Sequence, residues 1–226
     1  MSLRRSIILL VFLGVLFFGW LLWRNSVSSQ QPKVTAAPTI VKQRATVSTR
    51  TFDPDNLPAD MPPSIPGELA VTDSNFISDA RVGGDALQVG GSGAMVTITQ
   101  ITVTLQLNIT IWVPINASQH VIEHEEGHRQ ISEFFYQTAD KLAAQISATY
   151  MGKTIRVTGS DTHAEITKLL QKLGAEITDE YNKELNPDPT QLRYDVITDH
   201  SRNEVDSKDA VAQALKEAAP ASTRPT

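Results

Sequence analysis

The five residues His124-Glu125-Glu126-Gly127-His128 constrain this chain more than any others. Two histidines four apart stand one above the other on an α-helix, so a joint role for them requires a helix whose histidine face points inward. The pattern is H-E-x-x-H. In it both imidazoles reach one metal ion, and the glutamate beside the first histidine takes a proton from metal-bound water. The plainer alternative is a solvated, charged helical turn carrying two incidental histidines. The chain contains no cysteine, which excludes a disulfide framework, thiolate ligands and a cysteine nucleophile. A zinc site here draws its donors from His, Asp and Glu.

Residues 7–23, IILLVFLGVLFFGWLLW, are uninterruptedly apolar behind Arg4 and Arg5, and Trp20, Trp23 and Arg24 close the segment. No small-residue cleavage pattern follows. These features predict a retained N-terminal signal anchor over residues 1–24, spanning the inner membrane once with the remainder outside. Residues 25–66 hold seven of the twelve prolines and few large apolar side chains, which predicts an extended linker. With residues 1–24 set aside, 17 bases face 25 acids. An acidic domain without a basic stripe argues against a nucleic-acid partner.

A globular domain is expected over residues 67–218, with residues 219–226 as a disordered tail. Glu68–Val71 and Phe76–Ala80 read as short strands or turns. Ala94–Val113 carries the clearest β signal, but its alternation changes phase. Val96 and Ile98 are apolar at even positions, whereas Ile101 through Val113 are apolar at odd ones, so a bulge or strand break is expected near Gln100. Pro114 ends the run. A long helix is expected from about Ala117 to about Tyr150, capped by Asn116 or Ser118, with His124, His128, Ile131, Phe135, Leu142 and Ile146 along one stripe. Lys153–Thr158 reads as a short strand and Thr162–Leu185 as a second helix, with Thr162 and Glu165 as its capping box. Asn186-Pro187-Asp188-Pro189 breaks that helix, Arg193–His200 follows as a loop or short strand, and Asn203–Ala218 as a terminal helix. The fold class expected is α+β, an antiparallel sheet packed on the H-E-x-x-H helix and the second helix.

Two histidines need a third protein ligand for a catalytic zinc. His120 lies one turn before His124, yet one straight helix cannot wrap three successive turns around one ion. His163 opens the second helix and suits a surface position. His200 lies beyond that helix with Tyr194, Asp195 and Asp199 nearby, and a ligand from a returning loop is the arrangement that closes a cleft over a helix-borne pair.

HEEGHRQISEFF followed by YDVITDH resembles the bacterial family of secreted zinc-dependent proteases also known as domain of unknown function nine-two-two. The likeness spans roughly residues 67–205 and rests on His124–His128 and on Tyr194, Asp195, Thr198 and His200; where that family usually has Gly after its last His, this chain has Ser201. The resemblance implies zinc on His124, His128 and His200, Glu125 as general base and then acid, and Tyr194 as a donor to the scissile oxyanion. Asp195 or Asp199 stands as an alternative ligand or as an orienting partner of a histidine. The expectation is a membrane-anchored zinc metallopeptidase acting on envelope proteins or peptides. The alternative is a non-enzymatic envelope interaction protein with a structural or vestigial metal site.

Overall fold

In the computed structural model, which describes residues 36–63 and 70–219, strand β4 (Gly93–Pro114) organises everything else. One of its edges pairs along nearly its whole length with antiparallel β3 (Val71–Gln88). The other edge carries three short strands end to end. These are antiparallel β5 (Thr154–Thr158), parallel β1 (Thr39–Lys42) and parallel β2 (Thr46–Phe52). The architecture is therefore α+β, as the alternating patterns predict, but the sheet is mixed rather than antiparallel.

The phase change in β4 is a β-bulge within an unbroken strand. Gly83 faces Gln100 and Gly84 faces Ile98, so Thr99 has no opposite residue. The extra residue turns the apolar set back to one face on both sides of it. Val96, Ile98, Ile101, Val103, Leu105, Leu107 and Ile109 are all buried as a result. At about 1.5–3 kcal/mol for each fully buried side chain, this stripe fixes the register of the sheet.

Among the described residues, three helices cover that face, α1 (Gln119–Gln137), α2 (Ala139–Ala148) and α3 (Thr162–Glu184), while α4 (Asp188–Thr198) and α5 (Ser207–Ala218) pack on α1 and on each other. Ser118 caps α1, its hydroxyl accepting from the Val121 N–H. Asp161, not Thr162, caps α3. The long helix expected to Tyr150 is interrupted at Thr138, where ψ is near zero. Lys42 of β1 stabilises the interruption: its ammonium donates to the freed carbonyl of Gln137 at 2.7 Å and pairs with Asp140 at 3.0 Å.

Three further expectations are corrected. Residues 39–52, expected within the linker, are strands of the sheet, and the compact unit begins at Ala36 rather than Gly67. Phe76–Ala80, expected as a short strand or turn, lies inside one strand of 18 residues, β3, while of Glu68–Val71 residues 68 and 69 lie outside the described residues. Arg193–His200 is not a loop, because helix α4 continues through Thr198. The expected anchor at residues 7–23 lies outside the described residues, among which no helix is long and apolar enough to cross a membrane.

After α4 the chain makes a left-handed turn. Asp199, His200 and Ser201 have φ of 46°, 52° and 64°. Non-glycine residues there cost about 1–2 kcal/mol each. The turn is held by His200 N–H donating to Asp195 O at 3.0 Å and by Asn203 Nδ2 donating to Ile197 O at 2.8 Å. Ser201→Gly is expected to relieve the strain at that position. After the larger backbone entropy that glycine loses on folding, the net gain is up to about 1 kcal/mol, or about 2–4 °C in Tm. Thermal unfolding checks this; a lower Tm would contradict it.

Candidate metal centre and cleft

The core stripe of α1, with Val121, Ile131 and Phe135 buried, carries His124 and His128 on its continuation. α4 packs beside it and brings Asp195 to the pair. His124 Nε2 and His128 Nε2 lie 3.2 Å apart, and Asp195 Oδ1 lies 2.8 Å from the second and 3.4 Å from the first. Four donors held tetrahedrally at about 2.0–2.2 Å from one ion stand about 3.3–3.5 Å from one another. The observed triangle is close to that spacing, with the His128–Asp195 edge the tightest.

Side-chain chemistry agrees with the distances. Asp195 Oδ1 is buried without an aligned hydrogen bond, although it touches both imidazoles. A buried carboxylate oxygen with lone pairs and no proton donor on them is the donor a cation completes. Burial pulls the His128 pKa down, but the carboxylate of Asp195 outweighs it and the net shift is upward. Burial likewise works to raise Asp195, and the two imidazoles hold it well below the usual carboxylate range. His124, His128 and Asp195 thus fit a divalent cation through two nitrogens and one oxygen.

Glu125 is 4% exposed and borders the same cleft of about 540 Å³ as His128 and Asp195. Thr72 of β3 orients it, the hydroxyl donating to Glu125 Oε2 at 2.7 Å, with the backbone carbonyl of Glu125 3.1 Å away. The cleft runs beside Ala70 and the first residues of β3, Val71 to Phe76, and the outer edge of β3 pairs with no other strand among the described residues.

His200 is not in this group. It falls in the left-handed turn after α4, past the end of the helix that presents Asp195, and Asp195 is the third candidate donor beside the two imidazoles. Tyr194 is close to the centre but cannot serve the cleft as an oxyanion donor. It is fully buried, and its hydroxyl donates to the carbonyl of His124 at 3.1 Å and shares a hydrogen bond of 2.8 Å with Ser207. Burial pushes its pKa up to about 12, so it stays a neutral donor. Its ring stacks on His124, with centroids 5.0 Å apart and planes at 19°, and meets His128 edge-on at 4.9 Å. Tyr194 therefore positions both histidines.

Gly127 is explained by the same ring, because a Cβ there would overlap the phenol oxygen of Tyr194. Sequence reasoning missed the parts played by Thr72, Gly127 and Gln191. For Gln191 a signal existed. It stands four residues before Asp195, and Asp188 and Pro189 in the first turn mark a helix start that would place both on one face.

Comparison of the chain with models of known protein families, with curated proteins and with solved structures finds no match in any of the three.

Proposed function

We propose that this chain is a metal-dependent peptidase whose zinc ion is held by His124, His128 and Asp195. The observation that carries the reading is a triangle of two imidazole nitrogens and one carboxylate oxygen beside a buried, oriented Glu125 on an open cleft. A structural zinc site is closed by four protein donors, whereas three donors facing a cleft suit a catalytic one. When bound, the ion supplies Lewis-acid polarisation of the scissile carbonyl and acidifies water. Glu125 takes the proton of the attacking water and returns it to the leaving amine, with Thr72 holding its carboxylate in place. The unpaired edge of β3 suits an extended peptide, whose backbone can pair with it as an added strand.

The resemblance to secreted zinc-dependent proteases supports the same assignment, with Asp195 replacing His200 as ligand. We further infer that residues 7–23 anchor the chain in the inner membrane, which puts the cleft on the outer side with envelope proteins or peptides as substrates.

The test compares wild type with Glu125→Gln, measuring zinc content and cleavage of a pool of quenched fluorescent peptides. Both are expected to hold one zinc per chain, and the variant to lose about 10²–10⁴-fold in rate. An unchanged rate, or a wild type without metal, defeats the peptidase reading. Zinc binding without turnover in either protein favours the non-enzymatic envelope interaction protein instead.

A further inference from the structure

We propose that Gln191 is the positioning residue that fixes the tautomer of His128, through a relay running from β3 to the metal centre. The inference rests on the metal reading above.

The relay can be solved from donor and acceptor chemistry alone. Gln191 Nε2 lies 3.1 Å from the backbone carbonyl of His128 and 2.9 Å from Ser132 Oγ. A carbonyl only accepts, so the nitrogen end of the amide must face it. That leaves Gln191 Oε1 toward His128 Nδ1, 2.7 Å away. An amide oxygen also only accepts, so Nδ1 carries the proton. In the neutral ring the lone pair of His128 is then on Nε2, the nitrogen that a cation shared with Asp195 Oδ1, 2.8 Å away, would take. Ser132, fully buried, can give its own proton to His128 O at 3.1 Å. It accepts from Gln191 and shares a hydrogen bond with the Ser74 hydroxyl, 2.8 Å away. Flipping the amide would set its oxygen against the His128 carbonyl, so the acceptor end stays on the Nδ1 side whichever way the Ser74–Ser132 hydroxyl pair points.

The other histidine differs. His124 Nδ1 is buried without a hydrogen-bond partner among the described residues. The second-nitrogen contact that presets a ligating imidazole is thus built on His128 alone. Contacts of this kind typically change metal affinity by about 10–100-fold.

The experiment uses the full chain, metal-free, over a pH series carried up until the histidine ring signals stop moving, where the imidazoles are neutral. Nitrogen-15 NMR of the histidine rings reports which nitrogen bears the proton, and chelator competition reports zinc affinity. Wild type is expected to show His128 protonated on Nδ1. Gln191→Met keeps the length and removes the acceptor. It is expected to shift His128 toward the Nε2–H form and to weaken zinc by about 10–100-fold. Gln191→Glu retains an acceptor for Nδ1–H and is expected to keep the wild-type tautomer and bind zinc more tightly than the methionine variant. A purely structural role for Gln191 predicts no such difference. A wild-type His128 protonated on Nε2 overturns the proposal whether or not any variant folds, and so does a folded Gln191→Met that binds zinc as tightly as wild type. If wild type binds no zinc while His128 shows Nδ1–H, the metal reading fails and the relay stands.

Discussion

Gly127→Ala is expected to destabilise the chain by about 3 kcal/mol and to dismantle the metal centre, although it adds one methyl group to a helix. In an ordinary helix interior the same change stabilises by about 1 kcal/mol, so the sign of the effect is itself the test. The new Cβ would overlap the phenol oxygen and Cζ of Tyr194 and approach Ser207 Oγ to 2.9 Å. Tyr194 cannot move aside. It is fully buried, stacked on one histidine and edge-on to the other, and hydrogen-bonded to the carbonyl of His124. The strain must therefore pass to α4 as a whole, and Asp195 moves with it. Overpacking typically costs about 1–3 kcal/mol, and leaving buried polar groups unpaired costs about as much again. Together they exceed the helix-propensity gain. Thermal unfolding is expected to show Tm lower by about 6–12 °C. A Tm at or above the wild-type value would show that Tyr194 does not press on Gly127. In a Tyr194→Ala background the overlap with the ring is gone and only the rotatable Ser207 hydroxyl stays close, so adding Gly127→Ala is expected to be neutral or stabilising, with a coupling energy of about 2 kcal/mol or more.

What was legible in the sequence follows from which residues declare themselves by spacing. His124 and His128 do, because only a helix aligns residues four apart, and the odd–even switch around Gln100 located the bulge to within a residue. β1 and β2 did not. Residues 46–51 of β2 are all exposed, so they carry no apolar alternation, and backbone pairing with β4 holds them in the sheet. α4 was concealed by Pro187 and Pro189, which end one helix and begin the next. Asp195 stood in the second motif, but only as an alternative ligand beside Asp199. A carboxylate is common on any surface, and only the packing of α4 against α1 separates it from Asp199, four residues on. Tyr194 was recognised as close to the chemistry, but sequence does not tell which end of a tyrosine faces a cleft. The contact with Gly127 decides that.

If the proposed zinc peptidase reading holds, Asp195→Ala is expected to cost at least about 10³-fold in zinc affinity, more than loss of a contact that only orients a ligand, and to remove peptidase activity with it. His200→Ala is expected to stay within about 3-fold of wild type. The contrast follows from geometry. Asp195 is buried, with Oδ1 2.8 Å from His128 Nε2, whereas His200 sits in the left-handed turn beyond α4. Without Asp195 the two imidazoles remain 3.2 Å apart with two donors and no balancing charge, and water must fill the vacated place. Asp195→Asn separates shape from charge, since an amide oxygen at the same place retains the triangle but not the negative charge. It is expected to fall between wild type and alanine. Equilibrium competition with a chromophoric chelator, run on all three variants, measures each step. If His200→Ala loses the metal and Asp195→Ala keeps it, the ligand is the one the sequence motif suggested. α4 would then have to unwind past Asp195 to deliver His200, breaking the hydrogen bonds that Thr198 and His200 make to the carbonyls of Tyr194 and Asp195. The intact turn is the physical reason to expect the opposite result.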